Sequence, residues 1–121
     1  MTMSFETEAS RDAQFYKNLG IFYYDVGLRQ RAKENLYIYV KLLYGLRRSG
    51  SSLAASNSES TRQDAQFLAN IATLFYDDKN YPQAKKIIES AIFLFPEHND
   101  FLSEFRSRIE HKMRDDESED S

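Results

Sequence analysis

The sequence predicts an all-α fold of antiparallel helix pairs stacked side by side, and three observations predict it. Apolar residues recur at intervals of three and four along most of the chain, which is the period of one helix face. Only four Gly and two Pro interrupt the 121 residues, too few for a strand-and-turn architecture. The chain also repeats itself at a shift of 52 places: Asp12-Ala13-Gln14-Phe15 falls on Asp64-Ala65-Gln66-Phe67, Asn18 on Asn70, Tyr24 on Tyr76, Ala32 on Ala84 and Lys33 on Lys85.

Composition narrows the class further. The length gives one domain, able to bury roughly 60 to 70% of its unfolded surface, and 41% hydrophobic and 14% aromatic residues supply the core. The net charge of −3 is mild, and the acids gather in the final run 115–121, DDESEDS. The remaining body is close to neutral, too weakly basic for nucleic-acid binding by phosphate neutralisation. With no cysteine, neither disulfides nor a thiolate metal site are available. The opening MTMSFETEAS lacks the pattern of a signal peptide, and no apolar run reaches the ~18 residues that insertion into a membrane needs. The expectation is a soluble cytoplasmic protein.

Residues 1–9 read as a flexible N-terminus, followed by a domain over 10–114. Ser10 is the candidate N-cap of a helix over about 10–26, with Asp12 favourable in its first turn. Its apolar positions are Phe15, Tyr16, Leu19, Phe22, Tyr23 and Val26, with Gly20 the small residue beside Leu19. A second helix over about 29–46 carries the run Leu36 to Tyr44, which is apolar or aromatic on nearly every side. A surface helix keeps one face polar, so this helix is either central to the domain or covered by another molecule. A Ser-rich stretch, 46–60, has few large apolar residues and reads as a mobile loop.

Ser60 and Gln63 then have the spacing of a capping box opening a helix over about 61–78. Its buried face is Leu68, Ile71 and Phe75, with the small Ala72 as a hole. Asp77-Asp78-Lys79-Asn80 makes a turn, and Pro82 sits in the first turn of a helix over about 81–95, where its missing N–H costs little. Ala84, Ile88 and Ala91 form its inner face, and Pro96 ends it. A last helix over about 99–114 repeats the spacing with Leu102, Phe105 and Ile109. It carries Arg106 where Ala72 stood, so it accepts no further partner and caps the stack. Residues 115–121 read as an acidic disordered tail.

The order of large and small residues from Asp64 to Pro96 resembles a tetratricopeptide repeat. The first copy matches with Tyr16, Leu19-Gly20, Tyr23, Ala32 and Leu36, but has Tyr39 and Tyr44 in place of Ala91 and Pro96. The resemblance implies a short α-solenoid of two repeats plus a C-terminal capping helix, with no enzymatic activity. It also implies a groove, lined by the first helix of each pair, that binds an extended or helical segment of a partner protein. The groove candidates are Gln14, Lys17, Asn18, Ile21 and Tyr24 with Gln66, Asn70, Thr73 and Tyr76. Tyr37, Tyr39 and Tyr44 on the second helix are candidates for a partner or dimer surface, homodimeric or heterodimeric.

Within the family, the co-chaperones that bind heat-shock protein C-termini use a Lys and an Asn four apart, a second Asn, and two bases. Lys17 and Asn70 match this clamp, but Ile21 replaces the Asn, and Phe101 and Phe105 replace the bases. The size, acidity and aromatic content are similar to those of the small tetratricopeptide chaperones of type III secretion. A general scaffold or adaptor subunit stays open beside them. No catalytic residue, cofactor or metal site is expected, because His98 and His111 stand apart and no Gly-rich phosphate loop or metal-ligand spacing occurs.

Overall fold

The computed structural model describes residues 4–49 and 58–120, with side chains at 8, 10–49 and 61–115. They are all-helical: α1 (Ser4–Asp25), α2 (Arg29–Arg48), α3 (Ser58–Asp77), α4 (Tyr81–Leu94), a 3₁₀ turn (Pro96–His98) and α5 (Asn99–Asp120). The chain, read from its length as one domain, divides into two compact units, Met1–Ala54 and Ala55–Ser121.

The helix ends that face the inter-helix turns fall within a residue or so of the sequence expectation. The outer ends do not. Helix α1 begins at Ser4, so Ser10 lies inside it and is no N-cap, and the stretch read as flexible is helical from Ser4 onward. Likewise α3 begins at Ser58, which places Ser60 within its first turn, and α2 runs on to Arg48. The predicted mobile loop is thereby shortened from both sides, and its residues 50–57 lie outside the described residues. Helix α5 continues through the acidic run to Asp120. No Pro stands at any of these boundaries to stop propagation, which adds one hydrogen bond for each residue fixed, and Gly45 near the end of α2 does not break it.

The first unit is the hairpin of α1 and α2. Ala13, Gly20 and Ala32 are the small residues at its interface, and Leu36, Tyr39, Val40 and Leu46 fill it from α2. Helix α2 lies close against the backbone of α1 at Gly20. A Cβ built there would lie 2.5 Å from Leu36 Cγ and 3.3 Å from the Leu36 backbone nitrogen. The register therefore pairs Gly20 with a γ-branched Leu36, where the second repeat has Ala72 with the β-branched Ile88.

The second unit has α4 at its centre, packed against both α3 and α5. Leu68, Ile71 and Ala72 of α3, Ala84, Ile87, Ile88 and Ala91 of α4, and Leu102 and Ile109 of α5 are almost completely removed from water. Burying each large aliphatic among them is worth about 1.5 to 3 kcal/mol. The expected inner faces of α3, α4 and α5 are thus the observed ones. Polar contacts finish the unit: Thr61, itself buried, has its hydroxyl 2.9 Å from His98 Nε2, tying the first turn of α3 to the 3₁₀ turn, and Lys85 Nζ lies 3.3 Å from Glu110.

The two inter-helix turns close with the same pair of backbone bonds at the shift of 52. Leu28 N–H donates to Tyr23 O at 2.8 Å and Gly27 N–H to Tyr24 O at 3.1 Å; Asn80 N–H donates to Phe75 O at 2.9 Å and Lys79 N–H to Tyr76 O at 2.9 Å. This is the paired closure of a Schellman motif, which requires a left-handed residue just past the helix. Gly27 fills it at φ 88° and Lys79 at φ 64°. A side chain in that region costs on the order of 1 kcal/mol that Gly avoids. Lys79→Gly is accordingly expected to stabilise the protein by about 0.5 to 1 kcal/mol, and Gly27→Ala to destabilise it by about 1 kcal/mol. Urea midpoints at unchanged slope measure both.

Candidate functional site

The first helix of each hairpin presents the same polar pair to solvent. Gln14 Nε2 donates to Asn18 Oδ1 at 3.1 Å, and Gln66 Nε2 donates to Asn70 Oδ1 at 3.1 Å. All four side chains are exposed. Each pair satisfies one donor and one acceptor internally, on side chains that stand in solvent. An amide so placed can accept from and donate to the backbone of a bound peptide.

The other groove candidates divide sharply. Ile21 is 37% and Tyr24 52% exposed, while Lys17 is half-buried with its Nζ 5.8 Å from the centre of the Tyr39 ring. At the matching positions of α3, Thr73 donates its hydroxyl to Ala69 O at 2.9 Å. Tyr76 is packed edge-on between Tyr81 at 5.4 Å and Phe105 at 5.8 Å. Identical sequence positions therefore differ in availability. Tyr24 offers area to a ligand, and Tyr76 spends most of its own on α4 and α5.

On α2, Tyr39 was expected at a partner or dimer surface and is instead 5% exposed. It stands where the second repeat has Ala91, and is buried with Leu36 and Val40 of the same helix. Tyr37 and Tyr44 are half-buried. Lys41 lies 5.5 Å from the Tyr37 ring centre and Arg48 5.8 Å from that of Tyr44, so Tyr37, Lys41, Tyr44 and Arg48 alternate down one face at spacings of four, three and four.

The sequence reading missed the surface of α1. Phe15, Phe22 and Val26, counted there among the apolar positions of the helix with no surface role, are 57%, 55% and 53% exposed. The signal was present in the width of the pattern: Tyr16, Leu19 and Tyr23 already make one stripe, Phe15, Phe22 and Val26 a second beside it, and a single partner helix covers only one.

Among the described residues no group of three or more His, Cys, Asp or Glu is placed to hold a metal ion, and no helix is long and apolar enough to cross a membrane. His111 Nε2 faces Asp115 at 3.5 Å on an exposed face of α5. No known protein family, curated protein or solved structure matches the chain.

Proposed function

We propose that the chain is a non-enzymatic protein-interaction module, a short tetratricopeptide-like array of two helix pairs with α5 as its cap, that holds a segment of a partner protein. The recurrence of the exposed amide pair carries this reading. Gln14–Asn18 and Gln66–Asn70 keep the same 3.1 Å geometry at positions that no core packing requires. An exposed amide pair can accept from and donate to the backbone of a bound peptide. Ile21 and Tyr24 add apolar area beside the first pair, Tyr offering much contact for little lost entropy.

The co-chaperone clamp is the weaker variant of this reading, because Lys17, its one basic match, is half-buried over Tyr39 rather than presented to a carboxylate. A dedicated chaperone of one secretion substrate and a scaffold subunit of a larger complex both fit. The alternating Tyr37–Lys41–Tyr44–Arg48 face supports a second docking surface on α2.

Purification of the untagged protein from its source, followed by identification of what co-elutes in a stoichiometric complex, supplies the ligand. Against that ligand, Asn18→Ala with Asn70→Ala is expected to weaken binding at least tenfold, about 1.4 kcal/mol or more, with unchanged helical content. Tyr37→Ser with Tyr44→Ser tests the α2 face in the same titration. Binding unaffected by either pair, or a monodisperse protein with no ligand, overturns the reading.

A further inference from the structure

Among the described residues, Phe15, Phe22 and Val26 of α1 are exposed apolar side chains that neither hairpin packing nor the amide pairs account for. Phe15, Phe22 and Val26 are spaced by seven and four, so they share one helix face, and each is more than half exposed. The internal repeat shows that the positions do not demand this. At 67, 74 and 78 the second copy has Phe67, half-buried, Leu74, 9% exposed, and the exposed polar Asp78. Where the second copy leaves a position in water it places an acid, and where α1 leaves the same position in water it places Val26. Large apolar groups gathered on one solvent-facing stripe mark an interaction surface.

The charges at the ends of the stripe say what fits it. Arg11 lies one turn before Phe15, and Asp25 lies just beyond Phe22; both are exposed and both fall on the same flank of the helix. In an antiparallel pair of α1 helices about a two-fold axis near Asn18 and Leu19, residue numbers in register sum to about 37. Phe15 of one copy then packs on Phe22 of the other, and the same flanks meet. Arg11 thereby falls beside Asp25 of the second copy, and symmetry makes the contact twice. A parallel pair would set Arg11 level with Arg11 and Asp25 level with Asp25 on opposite flanks, and would pair neither with an opposite charge.

We propose that α1 is a self-association helix, on which a second copy of this chain docks antiparallel through Phe15 and Phe22 with Arg11 and Asp25 paired at both ends. A half-exposed aromatic offers roughly 100 Å², so Phe15, Phe22 and Val26 together bury roughly 250 to 300 Å² on each copy. Stable dimers need about 800 Å² a side, which makes this a reversible dimer that dissociates on dilution.

Sedimentation velocity of the full chain from micromolar to millimolar concentration tests the proposal. The expected result is a sedimentation coefficient rising from monomer toward dimer. Phe15→Ser with Phe22→Ser is expected to abolish the rise with far-ultraviolet circular dichroism unchanged, since both side chains are at the surface. Arg11→Asp is expected to weaken dimerisation several-fold, and adding Asp25→Arg to restore it, which only the antiparallel register does. Asn18 sits beside the proposed axis, and the chain has no cysteine of its own. Asn18→Cys is therefore expected to give a disulfide-linked dimer on mild oxidation even if the serine variants fold poorly. A chain that stays monomeric throughout, a dimer indifferent to the Phe substitutions, or a charge exchange that fails to restore association overturns the proposal.

Discussion

Tyr39→Ala is expected to cost about 3 kcal/mol or more, the range for emptying a buried aromatic site. The side chain is 5% exposed between the two helices of the first hairpin, and its ring carries the Lys17 ammonium at 5.8 Å. Truncation leaves a cavity that two rigid helices cannot collapse into, and it removes the surface on which the Lys17 stem is held. Against a total stability of about 5 to 15 kcal/mol, the loss is large. Tyr37→Ala and Tyr44→Ala, at half-buried positions, are expected to cost distinctly less. Urea unfolding of the three variants separates core from surface: equal losses at all three would show that the distinction drawn between them is false.

Gly20→Val is expected to be comparably severe, for the opposite reason. The added Cβ alone would sit 2.5 Å from Leu36 Cγ, the branch point of a side chain itself only 4% exposed, so no rotamer change relieves the overlap cheaply. Two further γ-carbons enlarge the conflict. Overpacking of this kind costs about 1 to 3 kcal/mol and occasionally more, which outweighs the gain of somewhat under 1 kcal/mol from replacing a helical Gly. Shortening the opposing residue tests the cause. Leu36→Ala in the Gly20→Val background is expected to destabilise by at least 1 kcal/mol less than the two single changes added, a coupling usual for residues in contact. Strict additivity would locate the damage elsewhere.

The internal repeat links these results to those at the turns. Shifted by 52 places, the two hairpins share the paired Schellman closure of their turns, yet Gly27 fills its left-handed position at no steric cost and Lys79 fills the same position with strain. At matching positions Gly20 faces Leu36 where the second copy has Ala72 and Ile88. Duplication fixed the geometry, and each copy then found its own pair of side chains to occupy it.

How much of this was legible beforehand depends on the range of the interaction. The Leu68–Ile71–Ala72 and Ala84–Ile88–Ala91 faces could be read because helical periodicity is a local property, and burial follows once any partner helix covers the stripe. The inner helix ends could be read because Pro82 and Pro96 act on their own neighbours. The left-handed place of Lys79 was hidden, since only the backbone closure, and not the residue type, reveals it.

The sequence by itself therefore determined an all-helical chain, its five α-helices, the duplication, and the small residues on which the helices cross, because each rests on spacing and steric rules within a few residues. Only the tertiary structure decided which of several apolar stripes is buried. It put Tyr39 inside and Phe15, Phe22 and Val26 outside, covered Tyr76 with Phe105 while leaving Tyr24 in water, and so moved the candidate surfaces to the first hairpin. A helix more than one stripe wide in apolar residues has too few neighbours to bury them all, and the choice among them belongs to the packing.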